Sequence, residues 1–152
     1  GNSYVAFKEA IAFKESQGNY SAVNTLGYLG KYQFGVTTLE LLGIKNPKLF
    51  LNTPELQERA FLANKKRNKW VLRRYINRFV GKHINGVGIT ESGILAAAHL
   101  AGPGNVKRYL RSYGAVDTKD AYGTYILSYM HKFSGYDTSF VSPQKKSKLI
   151  SP

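Results

Sequence analysis

Glycine ends one apolar segment of this chain after another, and this pattern constrains the fold more than any other feature. Apolar residues recur at spacings of three and four from Tyr4 to Ile11, which is the period of one face of an α-helix. That segment closes at Gly18, and later segments close in the same way at Gly43, Gly81, Gly102 and Gly135. The sequence therefore predicts a succession of helices with glycine-marked ends.

Capping residues and helix-breaking residues predict where these helices begin and end. Ser3 can cap the first helix, Thr53 followed by Pro54 begins a long one, and Thr90 caps another. The predicted helices cover residues 4–17, 37–42, 54–80, 90–101, 106–112 and 120–133. The predicted fold class is all-α.

Length and composition fit one globular domain. The chain has 152 residues, of which 43% are hydrophobic, and it lacks an apolar run long enough to span a membrane. We predict one domain at residues 1–141 and a polar, basic, mobile tail at residues 142–152. Without cysteine there is no thiolate metal site, and His83, His99 and His131 are too scattered to form another kind. We expect no metal, no cofactor and no membrane span.

Positive charge dominates the chain and predicts a polyanionic partner. Lysine and arginine number 22 against nine acidic residues, for a formal net charge of +13. Nucleic acid, anionic lipid or an acidic cell-wall polymer would fit, and a charged surface kept for solubility is the alternative. The longest run without an acid is Arg59, Lys65, Lys66, Arg67, Lys69, Arg73, Arg74, Arg78 and Lys82. We expect these cations around the long helix, with Phe61, Leu62, Trp70 and Val71 on its packed side.

Glu15 stands out among the nine acids. It follows Phe7 and Ile11 at helical spacing, so it continues the apolar stripe. Lost hydration and the helix dipole both oppose a negative charge there, which predicts a raised pKa and a general acid. The alternative is a side chain that extends from the helix end into solvent. Most other acids fit helix starts, where Asp117 and Asp120 are predicted to act as caps. Glu40 and Asp137 remain candidates for a second catalytic carboxylate.

The loop after Glu15 carries side chains that suit a polymer of N-acetylated sugars. Its amides and hydroxyls can hydrogen-bond a sugar, and its tyrosine rings offer flat faces. The polar candidates are Ser16, Ser21, Asn24 and Gln33, and the aromatic candidates are Tyr20, Tyr28 and Tyr32. The alternative is that these tyrosines are ordinary core or surface aromatics.

Three motifs follow one another in a specific order. The first is Glu15-Ser16, with Ala22, Gly27, Gly30 and Gln33 in register behind it. The second runs from Ala97-Ala98-His99 to Gly102-Pro103-Gly104, with Val106 and Tyr109 after it, and the third is Tyr125 in TYILSYMHKF. Together they resemble the soluble lytic transglycosylase-like family, within the lysozyme-like superfamily that includes goose-type lysozymes. The resemblance covers residues 4–133.

The resemblance implies an α-helical lysozyme-like fold, with a small glycine-rich loop or hairpin beside a glycan cleft. It implies cleavage of the β-1,4 bond between N-acetylmuramic acid and N-acetylglucosamine, with Glu15 as the single acid/base and 1,6-anhydromuramic acid as the product. The implied partner is the glycan strand of peptidoglycan, and the implied location is the periplasm or the cell wall outside the cell. The protein could act there alone or within a larger phage-tail or secretion-system protein. The resemblance points to no particular inhibitor or immunity protein.

The chain departs from the family pattern at two places near the implied cleft. His99-Leu100 replaces Tyr-Asn, so His99 becomes the candidate for a polar contact to the substrate. Lys31-Tyr32 replaces Leu-Met, which predicts a more polar cleft wall. The implied substrate-binding residues are then Ser16, Asn24, Tyr32, Gln33, His99 and Tyr125.

Three other functions stay open at this point. An inverting muramidase would cleave the same bond with water, provided that Glu40 or Asp137 lies roughly 6.5–9.5 Å from Glu15. A non-catalytic wall-binding module would bind the polymer without cleaving it. A basic helical domain that binds nucleic acid would leave the pattern from Glu15 to Gln33 unexplained, so we do not expect nucleic acid as the partner.

Overall fold

The protein is predominantly helical in the computed structural model, which describes residues 3–119 and 123–149. Within those residues the chain forms eight α-helices and one two-stranded antiparallel sheet. The helices are α1 (Tyr4–Ser16), α2 (Val36–Leu41), α3 (Pro47–Leu51), α4 (Pro54–Val71), α5 (Arg73–Phe79), α6 (Glu91–Ala101), α7 (Pro103–Arg111) and α8 (Ile126–Lys132). The strands are β1 (His83–Ile84) and β2 (Val87–Gly88). The predicted helical class is confirmed, the small sheet was not predicted, and the lysozyme-like fold remains a prediction.

Helix α1 begins and ends where its sequence predicts. The Oγ atom of Ser3 accepts a hydrogen bond from the backbone N–H of Ala6 at 3.3 Å. The buried face of the helix consists of Phe7, Ile11 and Ala12. The chain then leaves the helix through Gln17 and Gly18, whose φ angles are 56° and 81°. Glu15 therefore lies in the last turn, beside the start of the glycine-rich loop.

The long basic helix predicted for residues 54–80 is in fact two helices, α4 and α5. They are separated at Leu72, whose backbone angles of φ −94° and ψ 4° lie outside the helical range. The side chain of Leu72 is fully buried, so the chain turns at a residue that is anchored in the core. The turn directs α5 toward α7, where Nη1 of Arg111 donates a hydrogen bond to the hydroxyl of Tyr75 at 2.8 Å.

Helix α6 is the centre of the core. Its residues from Ser92 to Ala98 are all buried, and Thr90 caps it by accepting from the N–H of Gly93 at 3.1 Å. Helices α7 and α8 both pack against it. The approach of α8 is closest at Gly93, where a Cβ atom would lie 2.9 Å from the carbonyl oxygen of Met130. This packing therefore requires glycine at position 93.

The remaining helices differ from the predictions mainly in their bounds. Helix α2 lies within one residue of its predicted range, α7 begins earlier and α8 later than predicted, and α3 was not predicted. Asp117, which we expected to cap a helix, accepts from the backbone N–H groups of Ile126 and Leu127 at 2.8 and 3.2 Å. Asp120, the other expected cap, lies outside the described residues.

The polar tail makes specific contacts with the domain in its described part, residues 142–149. The backbone N–H of Gln144 donates to the carbonyl of Lys66 at 3.0 Å, and that of Leu149 donates to the carbonyl of Leu42 at 2.8 Å. The hydroxyl of Ser147 donates to the carbonyl of Ala63 at 2.8 Å. These contacts place the segment against α4 and the end of α2, and the predicted mobility of the tail stays a prediction.

A polar cluster joins α1, α4 and the glycine-rich loop. The carboxylate of Glu58 on α4 accepts hydrogen bonds from Lys8 (2.9 Å), Tyr20 (2.6 Å), Lys31 (2.9 Å) and Tyr32 (2.5 Å). Burial alone would raise the pKa of Glu58, but the hydrogen bonds from Tyr20, Tyr32, Lys31 and Lys8 outweigh it and lower the pKa to about 2. We call these five residues the Glu58 cluster.

Lys31 and Tyr32 point into the protein, so the prediction that they make the cleft wall more polar is wrong. Tyr32 is fully buried and its ring packs on Phe61, with the ring centroids 4.3 Å apart. Lys31 is buried as well, and its Nζ atom also pairs with Glu9 at 2.8 Å. Tyr32 is therefore unavailable for substrate binding. A partly buried acid on α4, Glu58, determines the direction of both side chains, and their spacing in the sequence could not show it.

Glu58→Gln tests whether the Glu58 cluster stabilises the fold. The variant removes the charge that Lys8 and Lys31 share, and we expect the free energy of unfolding at pH 7 to fall by about 2 kcal/mol. Because the folded pKa lies below the ordinary value of 4.5, the wild type has this stability above pH 4.5 and loses it as the pH falls toward about 2. The variant should lose less stability over that range. Urea unfolding measured from pH 2 to pH 7 checks both effects.

The matched control is Glu55→Gln, which changes an exposed glutamate on the same helix. It should leave the free energy of unfolding and its acid dependence close to those of the wild type. Equal stability of Glu58→Gln and the control at pH 7 would contradict the structural role of the cluster.

Candidate active-site groove

Glu15 lies in a groove of the protein and does not extend into open solvent. Its half-buried side chain lines a pocket of about 420 Å³, which we call the Glu15 pocket. The residues around this pocket are Lys14, Glu15, Val23, Asn24, Thr25, Gln33, Thr124 and Tyr129. The pocket thus brings the end of α1 together with the glycine-rich loop and α8.

Tyr129 is the residue that fixes the Glu15 carboxyl group. Its hydroxyl donates a hydrogen bond to Oε1 of Glu15 at 2.6 Å. Tyr129 belongs to α8, is only 2% exposed and packs edge-on against Phe133. A buried, packed side chain holds its hydroxyl in place, so one carboxyl oxygen of Glu15 has a defined position.

Tyr125, which the resemblance implied as a substrate-binding residue, occupies a different place. It precedes α8, is 44% exposed and is absent from the residues lining the Glu15 pocket. The tyrosine of this segment that reaches Glu15 is Tyr129, and the substrate-binding role implied for Tyr125 stays a prediction. Tyr129 lies four residues further on, one helical turn away, so the helical period alone does not distinguish the two tyrosines.

Gln33 lies on the wall of the Glu15 pocket with its side-chain amide group fixed. Its Nε2 atom donates to the carbonyl oxygens of Gly30 at 2.9 Å and Ala22 at 3.3 Å. Its backbone has a φ of 57°, an uncommon value for a residue with a side chain. With both amide hydrogens committed, the Oε1 atom is the part of Gln33 that is left to accept a hydrogen bond from a ligand.

Asn24 also lines the Glu15 pocket and shapes the loop around it. Its Oδ1 atom accepts from the backbone N–H groups of Leu26 and Tyr28, both at 2.9 Å. This leaves the NH₂ group of Asn24 as the part that could donate to a ligand. The placement of Asn24 and Gln33 agrees with their expected positions near Glu15.

Ser16 has a structural position, although the resemblance implied a substrate contact. Its hydroxyl donates to the carbonyl of Lys31 at 2.6 Å and accepts from the backbone N–H of Asn19 at 3.0 Å. A hydroxyl has one proton to donate, and this one is used inside the protein. Ser16 therefore connects the end of α1 to the far side of the loop.

A second pocket of about 330 Å³ shares Gln33 with the first, and we call it the Arg67 pocket. Besides Gln33, its polar lining includes Thr37, Thr38, Asn64, Arg67, Asn68 and His99, and Gly102 and Pro103 also line it. Because Gln33 lines both, the two pockets are neighbours, and we call them together the groove. Residues on α4 were not predicted as part of a site, because their sequence looks like a charged surface helix.

Fully buried Lys65 pairs with His99, a partly buried residue in the wall of the Arg67 pocket. Lys65 is fully buried, and its Nζ atom lies 2.7 Å from Oδ1 of Asn64 and 2.8 Å from Nδ1 of His99. The Nε2 atom of His99 lies 2.7 Å from the carbonyl oxygen of Tyr32. A carbonyl can only accept, so Nε2 carries the proton and Nδ1 accepts from Lys65.

This pair corrects two predictions. Lys65 was expected among the surface cations of the long helix, but it is inside the protein. His99 was expected to offer a polar contact to the substrate, yet both of its ring nitrogens already have partners in the protein. Burial lowers the pKa of Lys65 and of His99 well below their usual values, and the charge of Glu15 offsets this only in part for Lys65.

Neither candidate for a second carboxylate lines the groove. Glu40 is an exposed residue of α2 and is absent from the lining of both pockets. Asp137 is exposed and lies at a separate surface pocket beside Tyr4 and Phe140. Hydrogen bonds from the hydroxyl and the backbone N–H of Ser139 lower the pKa of Asp137. Both residues lie outside the site that contains Glu15.

Comparison of the chain with protein-family models, with curated proteins and with solved structures gave no match. The family resemblance therefore still rests on the motifs in the sequence. In residues 3–119 and 123–149, no three histidine, cysteine or acidic side chains come together as metal ligands. No helix in that part of the chain combines the length and the apolar character needed to cross a bilayer.

Lys65→Met tests the buried position of the lysine. Because the folded pKa of Lys65 lies below the ordinary value of 10.5, the native state binds fewer protons than the unfolded state, and stability should rise with pH toward about 10.5. The methionine variant should lose this rise. At pH 7 it should stay within about 1 kcal/mol of the wild type, since the removed cost of a buried amine offsets the lost hydrogen bonds.

Urea unfolding between pH 7 and pH 10 measures this dependence. Lys66→Met, at the neighbouring position on the same helix, is the control and should keep the wild-type slope. A wild-type slope in Lys65→Met would show that Lys65 is not buried.

Proposed function

We propose that the protein is a peptidoglycan lytic transglycosylase that uses Glu15 first as general acid and then as general base. One observation carries the proposal: among the described residues, Glu15 is the only acid that lines either pocket of the groove. Hydrogen-bonding groups of Asn24 and Gln33 lie in the same pocket and suit the amide and hydroxyl groups of N-acetylated sugars. The motif resemblance supplies the substrate class.

The first step is protonation of the glycosidic oxygen by Glu15. Because Tyr129 donates to Oε1, the proton to be transferred belongs on Oε2. Transfer of this proton lets the bond between C1 of muramic acid and the glycosidic oxygen break, and the proton leaves with the new hydroxyl of the departing sugar. The N-acetyl group of the substrate stabilises the positive charge that develops at C1.

The second step closes a ring within the substrate. Glu15, now a carboxylate, takes the proton from the C6 hydroxyl of muramic acid, and O6 forms a bond with C1. The product is a 1,6-anhydro sugar, no water is consumed, and Glu15 is again protonated for the next cycle. The hydrogen bond from Tyr129 stabilises the carboxylate between the two steps.

Among the described residues no second acid lines the groove, which favours this route over inverting hydrolysis. An inverting enzyme needs a base on the opposite side of the scissile bond. Glu40 and Asp137, the two candidates, both lie outside the groove. A mechanism in which one carboxyl group serves both steps fits the described lining of the groove.

The positive charge of the protein fits an anionic wall. Arg73, Arg74 and Arg78 are exposed on α5, and the chain carries a net charge of +13. The carboxylates of the peptide stems would attract such a surface, and salt should weaken this attraction. We therefore propose that the protein acts at the cell wall, in the periplasm or outside the cell.

Glu15→Gln tests the identity of the acid. The wild type should release soluble muropeptides from purified sacculi, and mass spectrometry should find products that are one water lighter than hydrolytic ones. The variant should release them at least about 100-fold more slowly, because it has no proton to transfer. Glu40→Gln and Asp137→Asn are the matched controls and should keep the wild-type rate. Full activity of Glu15→Gln would refute the assignment, and products with reducing ends would indicate a hydrolase.

Tyr129→Phe tests whether the hydrogen bond from Tyr129 to the Glu15 carboxyl group contributes to catalysis. Loss of one hydrogen bond to a charged group should lower kcat about tenfold and leave KM nearly unchanged. Tyr125→Phe is the control, since this exposed tyrosine does not line the Glu15 pocket. The rate of muropeptide release measures both variants. An equal loss in the two variants, or a loss confined to Tyr125→Phe, would argue against the role of Tyr129.

A further inference from the structure

The Arg67 pocket has a lining that favours a negatively charged ligand. Arg67 lies at this pocket and takes part in none of the ion pairs that the described residues form. In the same part of the chain no acidic residue lines the pocket. A guanidinium group without a carboxylate partner, in a pocket without acids, is a site of positive potential.

A second observation comes from Asn64, which is buried to more than nine-tenths and lines the same pocket. Its Oδ1 atom already accepts from Lys65 at 2.7 Å and from Asn68 at 3.3 Å. Its NH₂ group donates to no described residue and is not sealed from solvent. A buried amide whose oxygen is occupied presents only its donor hydrogens to a ligand.

The start of α7 also lies at this pocket, through Gly102 and Pro103. Pro103 has no N–H group, and the N–H of Gly102 donates to the carbonyl of Ala98 at 2.9 Å. The start of α7 therefore contributes the positive end of the helix dipole and no hydrogen-bond donor. The donors at the pocket are Asn64 and Arg67, which lie three residues apart on α4.

We propose that the Arg67 pocket is a subsite for a carboxylate of the peptide stem of peptidoglycan. The inference rests on the proposed function, because it names which part of that substrate occupies the second pocket. Gln33 lines both pockets, so a muramic acid held at Glu15 would have its peptide substituent beside the Arg67 pocket. The guanidinium group can hold a carboxylate through two parallel hydrogen bonds, and Asn64 can add another. The protein would then prefer strands with peptide stems to bare glycan.

The rate test compares intact sacculi with glycan strands from which an amidase has removed the stems. The wild type should cleave the intact material about tenfold faster, as expected for one charge-assisted contact. Arg67→Gln should lose this preference, because its rate on intact sacculi should fall about tenfold relative to its rate on bare strands. Arg74→Gln, an exposed arginine on α5 that does not line the pocket, is the matched control and should keep the preference. Equal losses of Arg67→Gln on both substrates, or no loss on either, would overturn the subsite.

A binding test separates the subsite from the proposed function. Calorimetry on Glu15→Gln, which does not turn over the ligand, compares a soluble muropeptide with free stem carboxylates and the same muropeptide with carboxamides. The free acid should bind about tenfold more tightly, and adding Arg67→Gln should remove the difference. If the wild type cleaves no wall material but this difference persists, the proposed function fails and the subsite stands. If cleavage occurs and the two muropeptides bind equally, the subsite fails and the function stands.

A third measurement tests whether the Arg67 pocket binds the phosphate groups of a nucleic acid instead of a carboxylate. Short single-stranded DNA should bind Arg67→Gln and Arg74→Gln equally, through the general positive charge alone. A loss of DNA binding that is specific to Arg67→Gln would overturn the carboxylate assignment in favour of a nucleic-acid site.

Discussion

The position of the glycine-rich loop depends on one partly buried acid, Glu58. Its carboxylate receives hydrogen bonds from α1 through Lys8 and from the loop through Tyr20, Lys31 and Tyr32. A carboxylate with so many donors stays charged in the folded protein and keeps those side chains on the inner side of the loop. Gln33, the next residue after Tyr32, is then directed to the opposite side of the loop. The Glu58 cluster therefore determines that Gln33 reaches the groove.

Helix α4 has a polar buried face, which is unusual for a helix at the centre of a small domain. Gln57, Asn64, Lys65 and Asn68 are all buried on it. Gln57 accepts from the backbone N–H of Lys31 at 2.9 Å and donates to the carbonyl of Tyr20 at 3.0 Å, so it holds both ends of the loop segment. Polar side chains on this face supply hydrogen bonds that the backbone of the irregular loop would otherwise obtain from a neighbouring strand. Asn64 and Asn68 of this face also line the Arg67 pocket, so a helix and the loop meet there.

Local signals in the sequence predicted a large part of this structure. The caps at Ser3 and Thr90 and the end of α1 near Gly18 lie where propensity and pattern place them, because these interactions involve neighbouring residues. The apolar stripe of Phe7 and Ile11 also indicated Glu15 as a candidate acid, and Glu15 lines a pocket together with Gln33. Features that depend on distant partners were missed. The break at Leu72, the burial of Lys65 and the direction of Tyr32 each depend on residues far away in the sequence, and the choice between Tyr125 and Tyr129 depends on the exact start of α8.

Helix α8 carries the tyrosine that touches the candidate acid, and the depth at which α8 sits is limited by the backbone contact between Gly93 and Met130. A hydrogen atom at position 93, where almost any other residue has a carbon, lets the two helices come together until backbone meets backbone. Gly93 therefore helps to set the distance between the hydroxyl of Tyr129 and the carboxyl group of Glu15. The close packing of α8 on α6 thus affects the position of the hydroxyl that binds the candidate catalytic acid.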